Sequence, residues 1–215
     1  MTAPLPRVLI VDDHPVVRMG LRALLERSGA FQVCGEAGDP AEARALAARE
    51  LPELMIVDLM LGGRGGVDLV TECLRIQPAA RILVLSQHDE AIYAERVLRA
   101  GARGYLMKGE QLDGVANALA AILRGEIVLS PRMNARILAG RLQRAATERY
   151  ADLSNREMQI FLLIGAGRAT GEIAAELCLS AKTVSAHREN IKTKLGLSTA
   201  AELEREAVLH VERLE

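Results

Sequence analysis

The sequence predicts a doubly wound α/β domain with a five-stranded parallel sheet, followed by an all-α domain. Five short apolar runs alternate with five segments of helical spacing, which is typical of strand–helix units with helices on both faces of a sheet. With no Trp, two Phe and three Tyr, the core must be built from Leu, Ile, Val and Ala. After residues 129–131 the helical spacing continues and no convincing strand follows.

The elements of the first domain follow from this alternation. Segment 15–28 is a typical helix, because Leu21, Leu24 and Leu25 fall on one face and Arg18 and Arg22 on the other. The predicted strands are 7–11, 32–37, 54–57, 81–85 and 103–106. The predicted helices are 15–28, 40–50, 66–77, 90–100 and 111–124.

The all-α part begins with a predicted helix over 132–144 and a polar connector over 145–152. Four compact helices should follow: one opened by a capping box of Ser154 and Glu157, one near 170–177, one over 181–195 capped by Ser180, and one over 199–209 capped by Ser198. These features divide the chain into a first domain over 1–128, a linker with a helix over 129–152, and a second domain over 153–215.

Charge and cysteine usage narrow the function classes. The net charge is −1, but residues 129–215 hold 13 Lys and Arg against 11 Asp and Glu, a mildly basic balance that does not by itself establish nucleic-acid binding. The three cysteines are far apart and are expected to be small buried residues in a reducing compartment. The amino-terminal residues lack a signal-peptide profile, and no apolar run nears the ~18 residues of a membrane span. We therefore expect a cytoplasmic protein without a membrane partner.

Charged and hydroxyl groups directly follow four of the apolar runs. These groups are Asp12 and Asp13, Asp58, Ser86, and Lys108. In a parallel sheet they would all emerge at the carboxyl edge, where open α/β folds place their sites. Three carboxylates, a hydroxyl and an ammonium could together hold Mg²⁺ and a phosphoryl group.

Each of these groups is assigned a part in phosphoryl transfer. Asp58 follows a central apolar strand and is assigned as the nucleophile that forms an aspartyl phosphate. Asp13 would bind the metal directly and Asp12 through water, with the backbone carbonyl of Met60 as a third protein ligand. Ser86 would donate a hydrogen bond to a phosphoryl oxygen, and Lys108 would neutralise its charge.

These residues also carry a family resemblance. Residues 7–124 resemble the receiver domain of a two-component response regulator, through Val11-Asp12-Asp13-His14-Pro15, Val57-Asp58-Leu59 with Gly66, Leu85-Ser86, and Gly104-Tyr105-Leu106-Met107-Lys108. The resemblance implies a flavodoxin-like fold, phosphoryl transfer from a sensor histidine kinase to Asp58, and slow self-catalysed hydrolysis. It also implies a switch in which Ser86 moves toward the phosphate while Tyr105 reorients.

Two positions depart from the receiver pattern. Gly62 stands where many receivers have Pro, and the glycine-rich run 62–66 is expected to make the loop after Asp58 unusually mobile. Gly109 follows Lys108 where many receivers carry a cis Pro. Neither change removes a charged group, so both bear on switching geometry rather than on phosphorylation itself.

The second domain contains two successive helices, 170–177 and 181–195, in a helix-turn-helix arrangement. The second of these has an inward stripe that includes Val184 and Ile191, and from Ser180 to Gly196 it carries four Lys and Arg against one Glu. A helix of this kind can enter the DNA major groove.

The segments from Leu153 to Glu157 and from Leu179 to Leu195 closely resemble a LuxR-type DNA-binding domain, which extends over about 153–208. With the receiver in front, the whole chain resembles a NarL/FixJ-type transcriptional regulator. The residues proposed to contact phosphates are Lys182, Thr183, Arg188 and Lys192, and those proposed to contact bases are Ser185, Ala186 and Glu189.

The leading hypothesis is a transcription regulator, gated by phosphorylation, whose partners are a sensor histidine kinase, promoter DNA and a second copy of the chain, with RNA polymerase as a further candidate. A phosphatase of the haloacid dehalogenase type is one alternative, although Met60 stands where such enzymes place a second Asp. A second alternative is a partner-binding module that works without phosphorylation.

Overall fold

The computed structural model describes residues 4–61, 64–87, 90–108, 114–140, 150 and 152–212. The chain divides into two compact units, residues 1–137 and residues 138–215. Gly62 and Gly109, and parts of the predicted segments 111–124, 132–144 and 145–152, lie outside the described residues.

The first unit is built on a five-stranded parallel sheet, as the sequence predicts. The strands of the chain are β1 Arg7–Val11, β2 Gln32–Ala37, β3 Leu54–Asp58, β4 Met60–Leu61, β5 Arg64–Gly65, β6 Arg81–Ser86 and β7 Gly104–Met107. The order in the large sheet is β2-β1-β3-β6-β7, and all its pairs are parallel. The chain therefore reverses its winding between β1 and β3, which is where doubly wound sheets place their sites.

Helices cover both faces of this sheet. They are α1 Pro15–Ser28, α2 Pro40–Glu50, α3 Gly66–Ile76, α4 Glu90–Arg99 and α5 Gly114–Leu123. Buried residues of α1 and α5 share one apolar cluster with alternate residues of the strands, and those of α2, α3 and α4 share the other. The apolar strand runs are explained by this arrangement, because both faces of each central strand are buried.

The segment after β3 differs from the expected loop. Met60 pairs with Gly65 and Leu61 with Arg64 in a two-stranded antiparallel hairpin, and Gly66 begins α3 immediately afterwards. Strands of two residues carry no detectable alternation, so the sequence pattern could not indicate them.

The start of α6 (Pro131–Gly140) belongs to the first unit. The hydroxyl of Ser130 accepts a hydrogen bond from the backbone N–H of Met133 at 3.1 Å, and the N–H of Ser130 donates to the Glu90 carboxylate at 2.8 Å. Met133 is buried in the same apolar cluster as Tyr93 and Tyr105. The first turn of α6 is thus anchored on the first unit, beside α4 and β7.

The second unit contains four further helices in its described part: α7 Asn155–Gly165, α8 Thr170–Glu176, α9 Ala181–Leu195 and α10 Ala200–Glu212. The capping box of Ser154 and Glu157 is present. The predicted cap of the last helix was wrong by one residue, because Thr199 rather than Ser198 accepts the N–H of Glu202, at 3.2 Å. Both residues are good caps, and their order along the sequence does not decide between them.

Helices α7 and α10 approach each other closely at Gly165. A Cβ atom at this position would lie 2.5 Å from the carbonyl oxygen of Ala207 and 2.6 Å from a methyl group of Val211. The absence of a side chain at Gly165 is therefore what allows the two helices to pack at this distance.

Candidate functional sites

The carboxyl ends of four adjacent strands bring the candidate phosphoryl-transfer residues together. Val11 pairs with Val57, Asp58 with Leu85, and Ser86 with Met107, so the residues that end these strands stand side by side along one edge. Asp12 and Asp58 are nearly fully buried, and Ser86 is fully buried. The order of the sheet, rather than proximity in sequence, creates this cluster.

Lys108 lies between two of the carboxylates. Its Nζ is 2.7 Å from Oδ2 of Asp12 and 3.0 Å from Oδ2 of Asp58, and all three side chains are almost completely buried. Burial alone would lower the pKa of Lys108, but hydrogen bonds and attraction from the two carboxylates raise it above its ordinary value. The ammonium is therefore held in its charged form at neutral pH.

One ammonium compensates two carboxylates, so this buried group retains an excess of negative charge. Burial raises the pKa of Asp58, and Lys108 opposes that effect while the charge of Asp12 adds to it. The backbone N–H of Met60 also donates a hydrogen bond that favours the ionised form of Asp58. A second cation would relieve the remaining repulsion.

The acidic cluster fits a divalent cation of the hard, oxygen-preferring kind. Ligand atoms of Asp12, Asp13, His14 and Asp58 all lie within 4.8 Å of one another. Mg²⁺ is usually bound by one or two carboxylates and keeps several waters, and the three carboxylates here, from two adjacent strands, offer enough oxygen ligands for it. The side chain of Asp13 is about one-third exposed, with 31% of its surface accessible, and so faces the open side of the cluster.

Two residues at and near the start of α1, His14 and Arg18, support Asp12. The N–H of His14 donates to Oδ1 of Asp12 at 2.9 Å, and the guanidinium of Arg18 donates to the Asp12 backbone carbonyl at 2.6 Å. His14 Nδ1 also lies 2.8 Å from Oδ1 of Asp13. Helical spacing indicated only that Arg18 lies on the polar face of α1. Its position four residues after His14, one helical turn later, is the feature from which a contact with the Asp12 segment could have been predicted.

Ser86 and Tyr105 lie on neighbouring strands close to this edge. The carbonyl of Ser86 accepts the N–H of Lys108 at 2.7 Å, which fixes the start of the segment that carries the ammonium. Tyr105 is fully buried and belongs to the apolar cluster that also contains Met133 of α6. The predicted switch pair is thus placed between the acidic cluster and the linker helix.

Gly66 lies against the backbone of the Asp58 segment. Its N–H donates to the carbonyl of Leu59 at 2.7 Å. A Cβ atom on Gly66 would lie 2.5 Å from the carbonyl oxygen of Asp58 and 2.7 Å from the Cα of Leu59. Only glycine permits this approach, which gives a physical reason for the glycine eight positions after Asp58.

The second candidate site is the exposed face of α9. Helices α8 and α9 form the expected helix-turn-helix pair, and Val184, Ile191 and Leu195 are buried as predicted. The predicted DNA-contacting residues that are exposed are Lys182, Thr183, Ser185, Ala186 and Glu189. The turn places Cys178 in the left-handed backbone region at φ 51°, where its side chain is exposed; the expectation that all three cysteines are buried was wrong here.

Two of the residues proposed to contact phosphates, Arg188 and Lys192, are paired with carboxylates. The Arg188 guanidinium is 2.9 Å from the carboxylate of Glu204 on α10, and Lys192 Nζ is 2.9 Å from that of Glu189. Both cationic side chains are only 16% exposed. To contact a phosphate, Arg188 and Lys192 would have to share or exchange these carboxylate partners. The sequence pattern could not indicate that they have such partners.

Glu157 connects the end of α9 to the start of α7. Its Oε2 lies 2.7 Å from Lys194 Nζ, and the same oxygen accepts the N–H of Ser154 at 2.7 Å. Burial alone would raise the pKa of Glu157, but Lys194 and the two bonds to Ser154 outweigh it and lower the pKa below the ordinary value of 4.5. This ion pair, buried on the Glu157 side and open to solvent on the Lys194 side, holds α9 against α7.

Replacing Glu157 with Gln should lower the free energy of unfolding by about 1–2 kcal/mol at pH 7, because the charge-assisted bond to Lys194 is lost while the capping role is kept. The pKa of Glu157 is lower in the folded protein. Its contribution is therefore present above the unfolded pKa and lost as pH falls through the folded one. Urea unfolding of Glu157→Gln and the parent should show a difference in unfolding free energy at pH 7 that shrinks as the pH falls through the lowered pKa of Glu157.

A double-mutant cycle with Lys194→Met provides the control. If the effects of the two substitutions simply add at pH 7, the ion pair makes no net contribution and this explanation is wrong.

Every helix among the described residues is too short or too polar to span a bilayer.

Comparison with known families identifies both units. A family model described as the response regulator receiver domain matches residues 8–120. A second, described as bacterial regulatory proteins of the luxR family, matches residues 151–207.

Curated and solved relatives extend over nearly the whole chain. Response regulator GacA of Pseudomonas protegens is 35% identical over 205 residues, covering 95% of this chain and 96% of that protein. RcsB from Salmonella enterica serovar Typhimurium, bound to promoter rprA in the presence of the phosphomimetic BeF3−, is 26% identical, with a TM-score of 0.59 and coverage of 94% of this chain and 98% of that one. A structure of two RcsB dimers bound to two parallel DNAs is 26% identical, with a TM-score of 0.57 and coverage of 94% and 97%.

Proposed function

Because the chain belongs to the two-component response regulators that carry a LuxR-type DNA-binding domain, we propose that phosphorylation of Asp58 gates its dimerisation and its binding to promoter DNA. A receiver domain implies a histidine kinase as partner. The kinase, the DNA and a second copy of the chain are the proposed partners, with RNA polymerase a further one, and the proposed location is the cytoplasm.

The proposed reaction is transfer of a phosphoryl group from a phosphohistidine to Asp58. A carboxylate oxygen of Asp58 attacks phosphorus, and the new O–P bond forms as the P–N bond breaks and the histidine keeps the electron pair. Lys108, already 3.0 Å from Oδ2 of Asp58, offsets the charge that arrives with the phosphoryl group. Ser86, at the end of the neighbouring strand, donates its hydroxyl hydrogen to a phosphoryl oxygen.

Asp12, Asp13 and Asp58, with the Met60 carbonyl, would hold Mg²⁺, and the bound ion would supply positive charge to the phosphoryl oxygens. Asp13, the most exposed of the three carboxylates, would be the direct ligand. Asp12 would act through water, since both of its carboxylate oxygens already accept hydrogen bonds, from Lys108 and from His14. His14 borders this cluster and was not among the expected ligands.

The single observation that carries the proposal is the position of Lys108 between Asp12 and Asp58 in a buried group that lacks one positive charge. A structural ion pair would have matched charges. A buried group with excess negative charge, located at the carboxyl edge of the sheet, is arranged to receive a cation and an anionic group together.

The link to DNA is supported by the placement of Tyr105 and α6. A shift of Ser86 toward the phosphate would free space near Tyr105, whose apolar cluster includes Met133 at the start of the linker helix. Two phosphorylated copies would then present two α9 helices to half-sites about one DNA turn apart.

Asp58→Asn should abolish phosphate incorporation from acetyl phosphate and Mg²⁺, because the amide is a poor nucleophile and lacks the charge that Lys108 compensates. Intact-protein mass spectrometry would detect the added phosphoryl group in the parent. Phosphorylation should also raise the parent's affinity for a DNA fragment, selected from a random-sequence pool, by about tenfold or more, through coupling to dimerisation.

The matched control is Asp68→Asn, an exposed aspartate of α3, which should behave as the parent in both measurements. Phosphate retained on Asp58→Asn would identify a different nucleophile. Equal DNA affinity and stoichiometry before and after phosphorylation would refute the gate.

A further inference from the structure

We propose that Glu189 reads a cytosine in the DNA major groove and so fixes the base preference of this regulator at one position in each half-site. This inference rests on the proposed DNA-binding function and adds to it the identity of a base. It follows from where Glu189 lies on α9, from the charge of that helix, and from the contact between Glu189 and Lys192.

Glu189 lies on the face of α9 that is directed away from its own domain. Residues 182, 186, 189 and 193 recur at helical spacing and are all exposed, whereas Val184, Ile191 and Leu195 on the opposite face are buried. The side chain of Glu189 is 70% exposed. When α9 enters the major groove, this is the face that meets the base edges.

An acidic residue on this face opposes the general attraction of the helix for DNA. From Ser180 to Gly196 the sequence has four Lys and Arg, and Glu189 is its one acidic residue. A carboxylate close to backbone phosphates weakens binding to any sequence. For the affinity of the helix for DNA, an acid at this position is favourable only where it gains a hydrogen bond from a base.

The chemistry of the carboxylate selects cytosine. An ionised carboxylate only accepts hydrogen bonds, so it needs a donor on the base edge. Cytosine presents its N4 amino group and no acceptor of its own in the major groove, whereas the amino group of adenine lies beside the acceptor N7, which repels a carboxylate. Guanine and thymine present acceptors there and would repel Glu189.

Neighbouring side chains leave one oxygen of Glu189 available and allow the helix to approach. Lys192 Nζ engages Oε2 at 2.9 Å, which offsets part of the charge and orients the carboxylate, so that Oε1 can accept from the base. On the preceding turn Ala186 is small, and the Ser185 hydroxyl donates to the carbonyl of Ala181 at 3.0 Å within its own helix. Glu189 is thus the longest acceptor on this part of the reading face.

The test compares the sequences that the phosphorylated full-length proteins select from a random DNA pool. The parent should prefer cytosine at one position of each half-site by about tenfold over the other bases. Glu189→Gln should change that preference to adenine, because an amide can donate to N7 and accept from N6. Glu189→Ala should remove the preference at that position and leave the other positions unchanged.

Glu176→Gln, an exposed acid at the end of α8, is the charge-matched control. It should alter affinity for all sequences equally and leave the selected bases unchanged. If Glu189→Gln does the same, Glu189 is only a surface partner of Lys192 and the inference is wrong, while the proposed function stands. If the phosphorylated parent selects no sequence at all, the proposed function fails and this inference fails with it.

Discussion

Gly66→Ala should destabilise the receiver unit by about 3 kcal/mol and reduce phosphate incorporation at Asp58 by more than tenfold. The added methyl group would lie 2.5 Å from the Asp58 carbonyl oxygen and 2.7 Å from two backbone atoms of Leu59. Backbone atoms cannot rotate away as a side chain can, so the chain that carries Asp58 must shift. A displaced Asp58 would no longer align with Lys108. Urea unfolding and phosphorylation by acetyl phosphate measure the two effects.

Gly20→Ala in α1 is the matched control. Apart from its two chain neighbours and the backbone of its own helix, no heavy atom of the described residues lies within 4 Å of a Cβ placed at Gly20. Alanine is favoured over glycine inside a helix, so this variant should be equally stable or up to about 1 kcal/mol more stable. Equal effects of the two substitutions would show that the contact at Gly66 is not responsible.

Lys108→Met should cost about 3–5 kcal/mol of unfolding free energy at pH 7 and eliminate phosphorylation. The substitution leaves Asp12 and Asp58 buried without their shared cation. Lys108 is the single lysine among residues 1–150, so no lysine nearby in the sequence can replace it. The loss of unfolding free energy should be smaller when Asp58→Asn is added, because the double variant contains one buried carboxylate instead of two. Urea unfolding of the two single variants and the double variant checks this.

Arg44→Met tests whether loss of any ion pair has the same effect. Arg44 lies 2.7 Å from Glu72, but both side chains are about 40% exposed, so the loss should be at most about 1 kcal/mol. A similar loss of unfolding free energy in Arg44→Met and Lys108→Met would mean that the large effect at Lys108 does not come from its buried position. A failure of Asp58→Asn to restore stability would exclude charge repulsion as the cause.

Much of the fold could be predicted from the sequence because its strands are buried on both faces. Runs such as Val8–Val11 and Leu54–Val57 are apolar throughout, and parallel strands force the residues that follow them to one edge. The hairpin of Met60–Leu61 and Arg64–Gly65 was missed because two residues cannot show a period. The last helix begins at Ala200, one residue later than expected, because two adjacent residues could serve as its cap.

The candidate sites were predicted in their residue types and only partly in their contacts. The sequence indicates that Asp58 and Lys108 lie at the carboxyl ends of two strands of one parallel sheet, but not that Lys108 also binds Asp12 or that Arg18 holds the Asp12 carbonyl. The pairing of Arg188 with Glu204 could not be predicted from the sequence either, since it depends on how α10 packs beside α9. Contacts between residues distant in sequence depend on side-chain conformations that no local pattern specifies.

The lack of clearance between α7 and α10 at Gly165 limits what a signal can alter inside the DNA-binding unit. Because no side chain separates Gly165 from the backbone of Ala207, the two helices pack closely, which favours movement of the pair as one body. Helix α9 is tied to α7 through Lys194 and Glu157 and keeps its orientation with them. Under the proposed function, phosphorylation therefore decides how many copies occupy an operator and at what spacing, while the nucleotide sequence that each copy recognises stays the same in the resting and the stimulated cell.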